Sequence, residues 1–247
     1  MKHLDLFSGI GGFALAADWV WGAEHEIVSF CEIESFCQKV LKKHWPDVPI
    51  HDDIKTLKGD KYGTIDLITG GFPCQSFSVA GKRRGKNDDR YLWPEMFRII
   101  QEARPRWVIG ENVTGIINMA LDEVLSDLES EGYEAQTFII PACSQNAPHR
   151  RDRVWIVADT INQRLQRGEW SGSHDQRQAP HGSITECIKA WDEPWIEVAS
   201  RFCGVDARVS HRVDRLKSLG NAIVPQVAYE LIKNILEVES SQEVRYT

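Results

Sequence analysis

The sequence predicts an α/β fold, a largely parallel sheet with helices on both faces, and three observations carry that prediction. Short apolar runs alternate with amphipathic stretches along most of the chain. A glycine-rich turn, Ser8-Gly9-Ile10-Gly11-Gly12, joins the first strand to the first helix. The side chains best suited to chemistry, Glu32, Asp53, Cys74 and Glu111, all fall where strands end, the edge at which open α/β sheets bind ligands. A chain of 247 residues suits one sizeable domain, alone or with a small appendage. With 42% hydrophobic and 26% charged residues it reads as globular, and it lacks the run of roughly 20 apolar residues that a membrane helix needs. It opens on a strand, so no signal peptide is expected. Six cysteines, Cys31, Cys37, Cys74, Cys143, Cys187 and Cys203, are scattered without a CxxC pair. That spacing argues against a structural zinc site or a disulfide framework and for reduced thiols in the cytoplasm.

The elements follow in order. Lys2 to Phe7 is a strand, and Phe13 to Trp21 is an apolar helix. Gly9-x-Gly11-x-x-Ala14 between them satisfies the dinucleotide fingerprint, but bare backbone at a helix N-terminus suits other nucleotide-like ligands equally. The strand Glu26 to Cys31 ends at Glu32, about 20 residues past the glycines, where a carboxylate can accept hydrogen bonds from ribose hydroxyls. A helix from Ser35 to His44 and a strand from Val48 to His51 lead to Asp52-Asp53-Ile54, with Asp53 at the ligand edge or capping a helix.

The strand Thr64 to Thr69 ends in Gly70-Gly71-Phe72-Pro73-Cys74-Gln75-Ser76. Pro73 fixes the backbone before the sulfur and Gln75 puts an amide beside it, which favours a nucleophilic Cys74 over a small buried filler. Residues 75–90 lack periodicity and carry Lys82, Arg83, Arg84, Lys86 and Arg90, the composition of a mobile lid. A helix from Pro94 to Ala103 precedes the strand Arg106 to Gly110, which ends in Glu111-Asn112-Val113 and brings a second carboxylate to the edge that holds Cys74. The helix from Ala120 to Glu131 carries Leu121, Val124, Leu125 and Leu128 at core spacing. Strands from Glu134 to Ile140 and from Arg153 to Ala158 are joined by His149-Arg150-Arg151-Asp152-Arg153. Those arginines exceed what Asp152 can pair with and suggest a site for a phosphate or a base edge.

At Thr160 the composition turns polar, so residues 160–210 form a small loop-rich segment, and 1–159 with 211–247 form the main domain. Arg215 to Gln226 leads into a last amphipathic helix through Leu236, with a tail expected to fray after Val238. The net charge of -7 counts against nonspecific coating of nucleic acid, yet residues 75–90 and 201–217 form two local basic surfaces.

Taken together these residues resemble the cytosine-C5 DNA methyltransferases, over nearly the whole chain outside 160–200. Asp5-Leu-Phe-Ser-Gly-Ile-Gly-Gly-Phe13 is similar to the family's first motif, which binds S-adenosylmethionine. Phe72-Pro73-Cys74-Gln75 is similar to its nucleophile motif, Glu111-Asn112-Val113 to its acid motif, and Leu219-Gly220-Asn221 to the motif that closes the cofactor pocket. The chain departs from the family in having His149-x-Arg151-x-Arg153 for Gln-x-Arg-x-Arg, and in a shorter target-recognition segment at 160–210.

The resemblance implies a Rossmann-like methyltransferase sheet and S-adenosylmethionine as cofactor. Phe7, Ser8, Gly9, Gly11, Gly12, Glu32, Ile33, Asp53, Ile54, Pro73 and Asn221 would hold it, with Glu32 on the ribose and Phe7, Ile33, Asp53 and Ile54 around the adenine. Cys74, Glu111, Arg151 and Arg153 would be catalytic, and no metal is implied. Gln75, Ser76, Lys82, Arg83, Arg84 and Lys86 would contact double-stranded DNA. The short segment points to a short or degenerate target or to an accessory recognition subunit, and the resemblance adds a companion restriction enzyme as a partner. An RNA cytosine-C5 methyltransferase of the same fold, an NAD-linked oxidoreductase and an inactive DNA-binding module are the rival readings. The expected location is cytoplasmic, on the nucleoid, with no membrane partner.

Neutralising Arg83 and Arg84 is expected to weaken DNA binding and flatten its dependence on salt, because each phosphate contact releases counterions. Titrations at several salt concentrations check this, and an unchanged affinity would refute it.

Overall fold

The computed structural model describes residues 1–73, 91–160 and 212–243. Cys74, Gln75, Ser76, Lys82, Arg83, Arg84 and Lys86, with the expected lid, lie outside the described residues, as does the recognition segment beyond Thr160.

Seven strands form one sheet among the described residues: β1 (Lys2–Leu6), β2 (Glu26–Cys31), β3 (Ile50–His51), β4 (Leu67–Gly70), β5 (Trp107–Val113), β6 (Tyr133–Pro141) and β7 (Asp152–Thr160). Their order is β3-β2-β1-β4-β5-β7-β6. The first five run parallel, while β7 is antiparallel to both β5 and β6. The helices are α1 (Gly12–Trp21), α2 (Ser35–His44), α3 (Trp93–Ala103), α4 (Leu121–Ser130), α5 (Arg212–Asn221) and α6 (Pro225–Glu243).

Strand alternation divides the core. Leu67, Trp107, Ile109 and Trp155 pack against Phe13, Ala16 and Ala17 of α1 and Val227, Ala228, Ile232 and Ile235 of α6. Their sequence neighbours Ile68, Val108, Val154 and Ile156 pack with Met96, Ile99 and Ile100 of α3 and Val124 and Leu128 of α4. Helices therefore cover both faces, as the periodicity predicts, and α2 joins through Leu41 against Ala14 and Phe30. The alanines on the inner side of α1 are small enough for that helix to lie close to the sheet.

Several boundaries differ from the sequence reading. β3 is confined to Ile50–His51, because Pro49 has no N–H for the ladder and offers only its carbonyl, to Phe30 N at 3.0 Å. β4 starts at Leu67 and includes Gly70, so Gly71 is the first residue to leave the sheet. At the C-terminal end, α5 is a separate helix that stops before Pro225, and α6 then runs past Leu236 and Val238 to Glu243. Its last turns are held in place, since Glu239 accepts hydrogen bonds from Arg106 at 2.5 Å and from Trp107 Nε1 at 2.6 Å. Thr160 also belongs to β7, donating its N–H to Arg106 O at 3.2 Å.

Ile232 is fully buried between α6 and the sheet. Ile232→Ala is expected to lower unfolding stability by about 2–5 kcal/mol, read from urea denaturation. A loss below about 1 kcal/mol would show that α6 is not an integral part of the core.

Candidate active site

The sheet order places β2 and β3 on one side of β1, and β4 and β5 on the other. Chain connections therefore diverge between β1 and β4, which opens a crevice at their carboxyl ends. The Phe7–Gly12 turn leaves β1 there, and Gly71-Phe72-Pro73 leaves β4. Register completes the arrangement: Leu6 pairs with Gly70, and Gly70 with Gly110. Glu111 and Asn112, near the end of β5, consequently stand beside the segment that precedes Cys74.

Glu111 and Asn112 are 8% and 5% exposed. Glu111 Oε1 is 3.0 Å from Arg153 Nε, and a Cβ placed on Gly71 would lie 3.4 Å from Glu111 Oε2. The carboxyl group thus lies directly beside the Gly71 backbone. Burial raises the pKa of Glu111, opposed by the charges of Arg153 and Arg151. The Asn112 amide donates to Phe72 O at 2.9 Å, and its own oxygen accepts from Val113 N at 2.9 Å. The Phe72 ring lies 5.1 Å from that of Trp93, and Leu92 N donates to Pro73 O at 3.5 Å. Backbone and ring contacts thus hold the two residues before Cys74.

The arginine loop divides its work. Arg150 is exposed and pairs with Asp152 at 2.9 Å, while Arg153 turns inward to Glu111. Arg151, with φ of 39°, donates to Gly220 O at 2.7 Å and Ala222 O at 2.9 Å. It ties this loop to the end of α5, where Asn221 lies between the two accepting residues. Ile223 continues that closure, since a Cβ on Gly12 would meet its Cγ1 at 2.6 Å. Ile10, Gly12, Leu15, His149, Arg151 and Ile223 line part of a cleft of about 430 Å³. Burial, then Arg151 and Arg153, lower the pKa of His149.

On the β1 and β2 side, the Glu32 carboxylate accepts from Gly9 N and Glu34 N, both at 2.7 Å. Burial raises its pKa, and those backbone N–H groups oppose the rise. Ser8 Oγ donates to Asp5 O at 2.6 Å. Phe7 adopts φ of 52°, a left-handed conformation that costs a non-glycine residue energy and recurs at functional sites. Ile33 is 74% exposed and Ile54 only 5%, packed into the core. Asp53 Oδ1 accepts from Lys55 N at 2.9 Å, which closes a turn after β3 rather than capping a helix, since no helix starts there. A glycine turn beside a carboxylate that keeps lone pairs for further donors fits the ribose of a nucleoside-containing cofactor.

Cys31 and Cys37 make poor nucleophiles in this setting. Burial foremost, then Glu32 and neighbouring aspartates, push the Cys31 thiol up to about 12, and burial also raises Cys37. The sequence reading missed the clamp made by Asn112, and it missed a buried polar set in which His3 and Asp5 meet Thr69. The signal for that set is present in β1, where His3 and Asp5 alternate with Leu4 and Leu6 in a strand covered on both faces.

A model of the family described as C-5 cytosine-specific DNA methylase matches residues 1–193. The Type II methyltransferase M.HgiCII of Herpetosiphon aurantiacus is 35% identical over 172 residues, covering 66% of this chain and 38% of that protein. The orphan methyltransferase M.Rho11sI of Bacillus phage rho11s is 32% identical over 206 residues, covering 79% of this chain and 41% of that protein. The chain thus spans less than half the length of these curated relatives. Among solved structures, a variant of Spodoptera frugiperda DNMT2 superposes with a TM-score of 0.57 at 25% identity, over 72% of this chain and 55% of that one.

Glu111 holds its proton more tightly in the fold than in the unfolded chain, so its contribution to stability is greatest below its unfolded pKa and is lost as pH rises through the folded value. Arg153→Gln removes the nearest cation and leaves burial unopposed. The variant is expected to titrate Glu111 at higher pH and to lose more stability than the parent between about pH 5 and 8. Carboxyl-detected NMR and urea midpoints at both pH values check this, and a downward shift of Glu111 would contradict it.

Proposed function

The chain belongs to the C-5 cytosine-specific DNA methylase family, and from that membership and the site geometry we propose that it transfers a methyl group from S-adenosylmethionine to C5 of cytosine in duplex DNA. One observation supports the reading above the others. Buried Glu111, held by Arg153, stands against Gly71 while its neighbour Asn112 secures Phe72, which precedes Cys74 by two residues in the sequence.

The residues imply the following order of events. C5 of cytosine is a weak nucleophile. The Cys74 thiolate adds to C6, which makes C5 an enamine carbon able to attack an electrophile. S-adenosylmethionine, when bound, supplies that electrophile as its sulfonium methyl. Addition places negative charge toward N3, and the raised pKa of Glu111 suits it to share a proton there. Arg153 orients that carboxyl group. Arg151 uses N–H donors on Gly220 O and Ala222 O and has others left, which are assigned to O2 of the base. Once a base removes the C5 proton, the C6–sulfur bond breaks and Cys74 is regenerated.

Glu32 is assigned to the ribose, with Phe7, Ile33, Asp53 and Ile54 around the adenine. Ser8, Gly9, Gly11, Gly12, Pro73 and Asn221 complete the cofactor site. Stacking in a duplex blocks C6, so the target base must be flipped out. Gln75, Ser76, Lys82, Arg83, Arg84 and Lys86 are assigned to the DNA around it. Residues 160–210 are assigned to sequence recognition, alone or with a second protein, because a segment of this size and polar composition has room to read few base pairs.

DNA carrying 5-fluorocytosine at the target should trap the protein after methyl transfer, because fluorine cannot leave as a cation. The adduct is expected to need S-adenosylmethionine, to survive denaturing electrophoresis and to vanish in Cys74→Ser. Glu111→Gln should keep cofactor binding and slow adduct formation, since an amide cannot give N3 a proton. Near-normal methylation by Cys74→Ser, or trapping at Cys31 or Cys37, would overturn the reading. Parallel incubation with tRNA separates DNA from RNA as substrate.

A further inference from the structure

Beneath the glycine turn runs a line of polar side chains that the proposed reaction does not use. Asp18 Oδ1 is 2.6 Å from His25 Nδ1, and His25 Nε2 is 3.0 Å from His3 Nδ1. His3 Nε2 is 2.7 Å from Thr69 Oγ1, which is 2.7 Å from Asp5 Oδ1. His3, Asp5 and Thr69 are fully buried, and so is the His25 side chain, whereas Asp18 is 38% exposed at its side chain. Trp45 Nε1 fixes the other Asp18 oxygen at 3.1 Å, and the Trp21 ring lies 5.9 Å from that of His25. Asp5 adjoins the cofactor turn through Ser8 and feels the charge of Glu32. Its second oxygen is buried without a hydrogen-bond partner.

Hydrogen-bond direction restricts how protons can sit on this line. The Asp18 carboxylate accepts, so His25 Nδ1 donates to it. In one polarity Asp5 is a carboxylic acid donating to Thr69, Thr69 donates to His3 Nε2, and His3 Nδ1–H donates to a neutral His25. In the other, every inner bond is reversed: His25 is an imidazolium donating to His3, His3 donates to Thr69, and Thr69 donates to an Asp5 carboxylate. Both contain the same number of protons. Conversion moves three protons, each across one hydrogen bond, and carries one unit of positive charge from Asp5 to His25. A cation on His3 also satisfies every link, but burial and His25 hold His3 well below the usual histidine range, which makes it a transit state.

We propose that Asp18, His25, His3, Thr69 and Asp5 form a buried proton relay, and that cofactor binding at the glycine turn switches its polarity. The first clause stands on the geometry alone, while the second rests on the cofactor assigned above. Without a ligand, the neutral acid is favoured at Asp5. A bare buried carboxylate oxygen is costly, and Glu32 repels the charge. Burial foremost raises the Asp5 pKa to about 7, against the hydrogen bond from Thr69. The Cys31 thiol, on the neighbouring strand, stays protonated and adds no charge. A sulfonium cation at the turn favours ionised Asp5 and draws the relay into its second polarity. Thr69 is the positioning residue, because its hydroxyl reaches from β4 to link His3 and Asp5, two side chains of β1.

Nitrogen NMR of histidine-labelled full chain, alone, with S-adenosylmethionine and with S-adenosylhomocysteine, tests this without turnover. The free protein is expected to show His3 protonated at Nδ1 and neutral His25. S-adenosylmethionine should move His25 to the doubly protonated form, and the uncharged-sulfur analogue should not. Thr69→Val should abolish the change and weaken S-adenosylmethionine binding roughly tenfold, and Thr69→Ser should restore both. His3 protonated at Nε2 in the free protein overturns the relay polarity. An unmoved His25 with S-adenosylmethionine shown bound by calorimetry, or a response kept in Thr69→Val, overturns the switch. If calorimetry shows no binding, the cofactor assignment and the switch both fail, while the His3 tautomer still decides the relay.

Discussion

Parallel pairing of β4 with β1 on one side and β5 on the other is the constraint on which the rest of this structure depends. Pairing Leu6 with Gly70, and Gly70 with Gly110, brings three loops to one edge. They are the turn after β1, the segment leading to Cys74, and the end of β5 with Glu111 and Asn112. A slip of one residue would turn Glu111 to the opposite face and reverse the inward alternation of Trp107, Val108 and Ile109. Core packing on both faces therefore also fixes the chemistry at the edge.

That edge carries an unusual amount of buried polarity for a covered sheet. Asp5, Glu32, Thr69, Glu111 and Asn112 are all less than a tenth exposed. Each side chain has a defined partner: Thr69 for Asp5, backbone N–H groups for Glu32, Arg153 for Glu111 and the Phe72 carbonyl for Asn112. Burial outweighs these partners at the three acids, whose pKa values all rise. Burial that favours the protonated acid suits these groups to accept or release a proton as a ligand arrives. The left-handed backbones of Phe7 and Arg151 mark the same region as one where the fold tolerates strain.

The two ends of the described chain close on each other. Helix α6 lies beside α1, and Ile223 covers Gly12 while Arg151 holds Gly220 O and Ala222 O. Glu239 is fastened to Arg106 and Trp107 at the far end of β5. The cleft wall is thus built from segments more than 200 residues apart in sequence, and its shape depends on α6 being docked.

The sequence by itself determined the order of elements from β1 to β7 and the location of the candidate chemistry at strand ends. Both follow from local causes: apolar periodicity sets each strand and helix, and glycine and proline mark the turns. The resemblance to a methyltransferase family was legible in short motifs for the same reason, since each is a contiguous run of side chains. Tertiary structure alone decided the partners. Nothing near Arg153 in the chain says that it meets Glu111 while Arg151 turns to the end of α5, because both contacts depend on how β7 is placed beside β5. His3, Asp5 and Thr69 are separate polar residues in sequence, and they become a connected line only when β1 and β4 pair in register. The end of α6 read as a fraying tail because its anchor, Glu239 on Arg106 and Trp107, lies across the fold, beyond the reach of any local pattern.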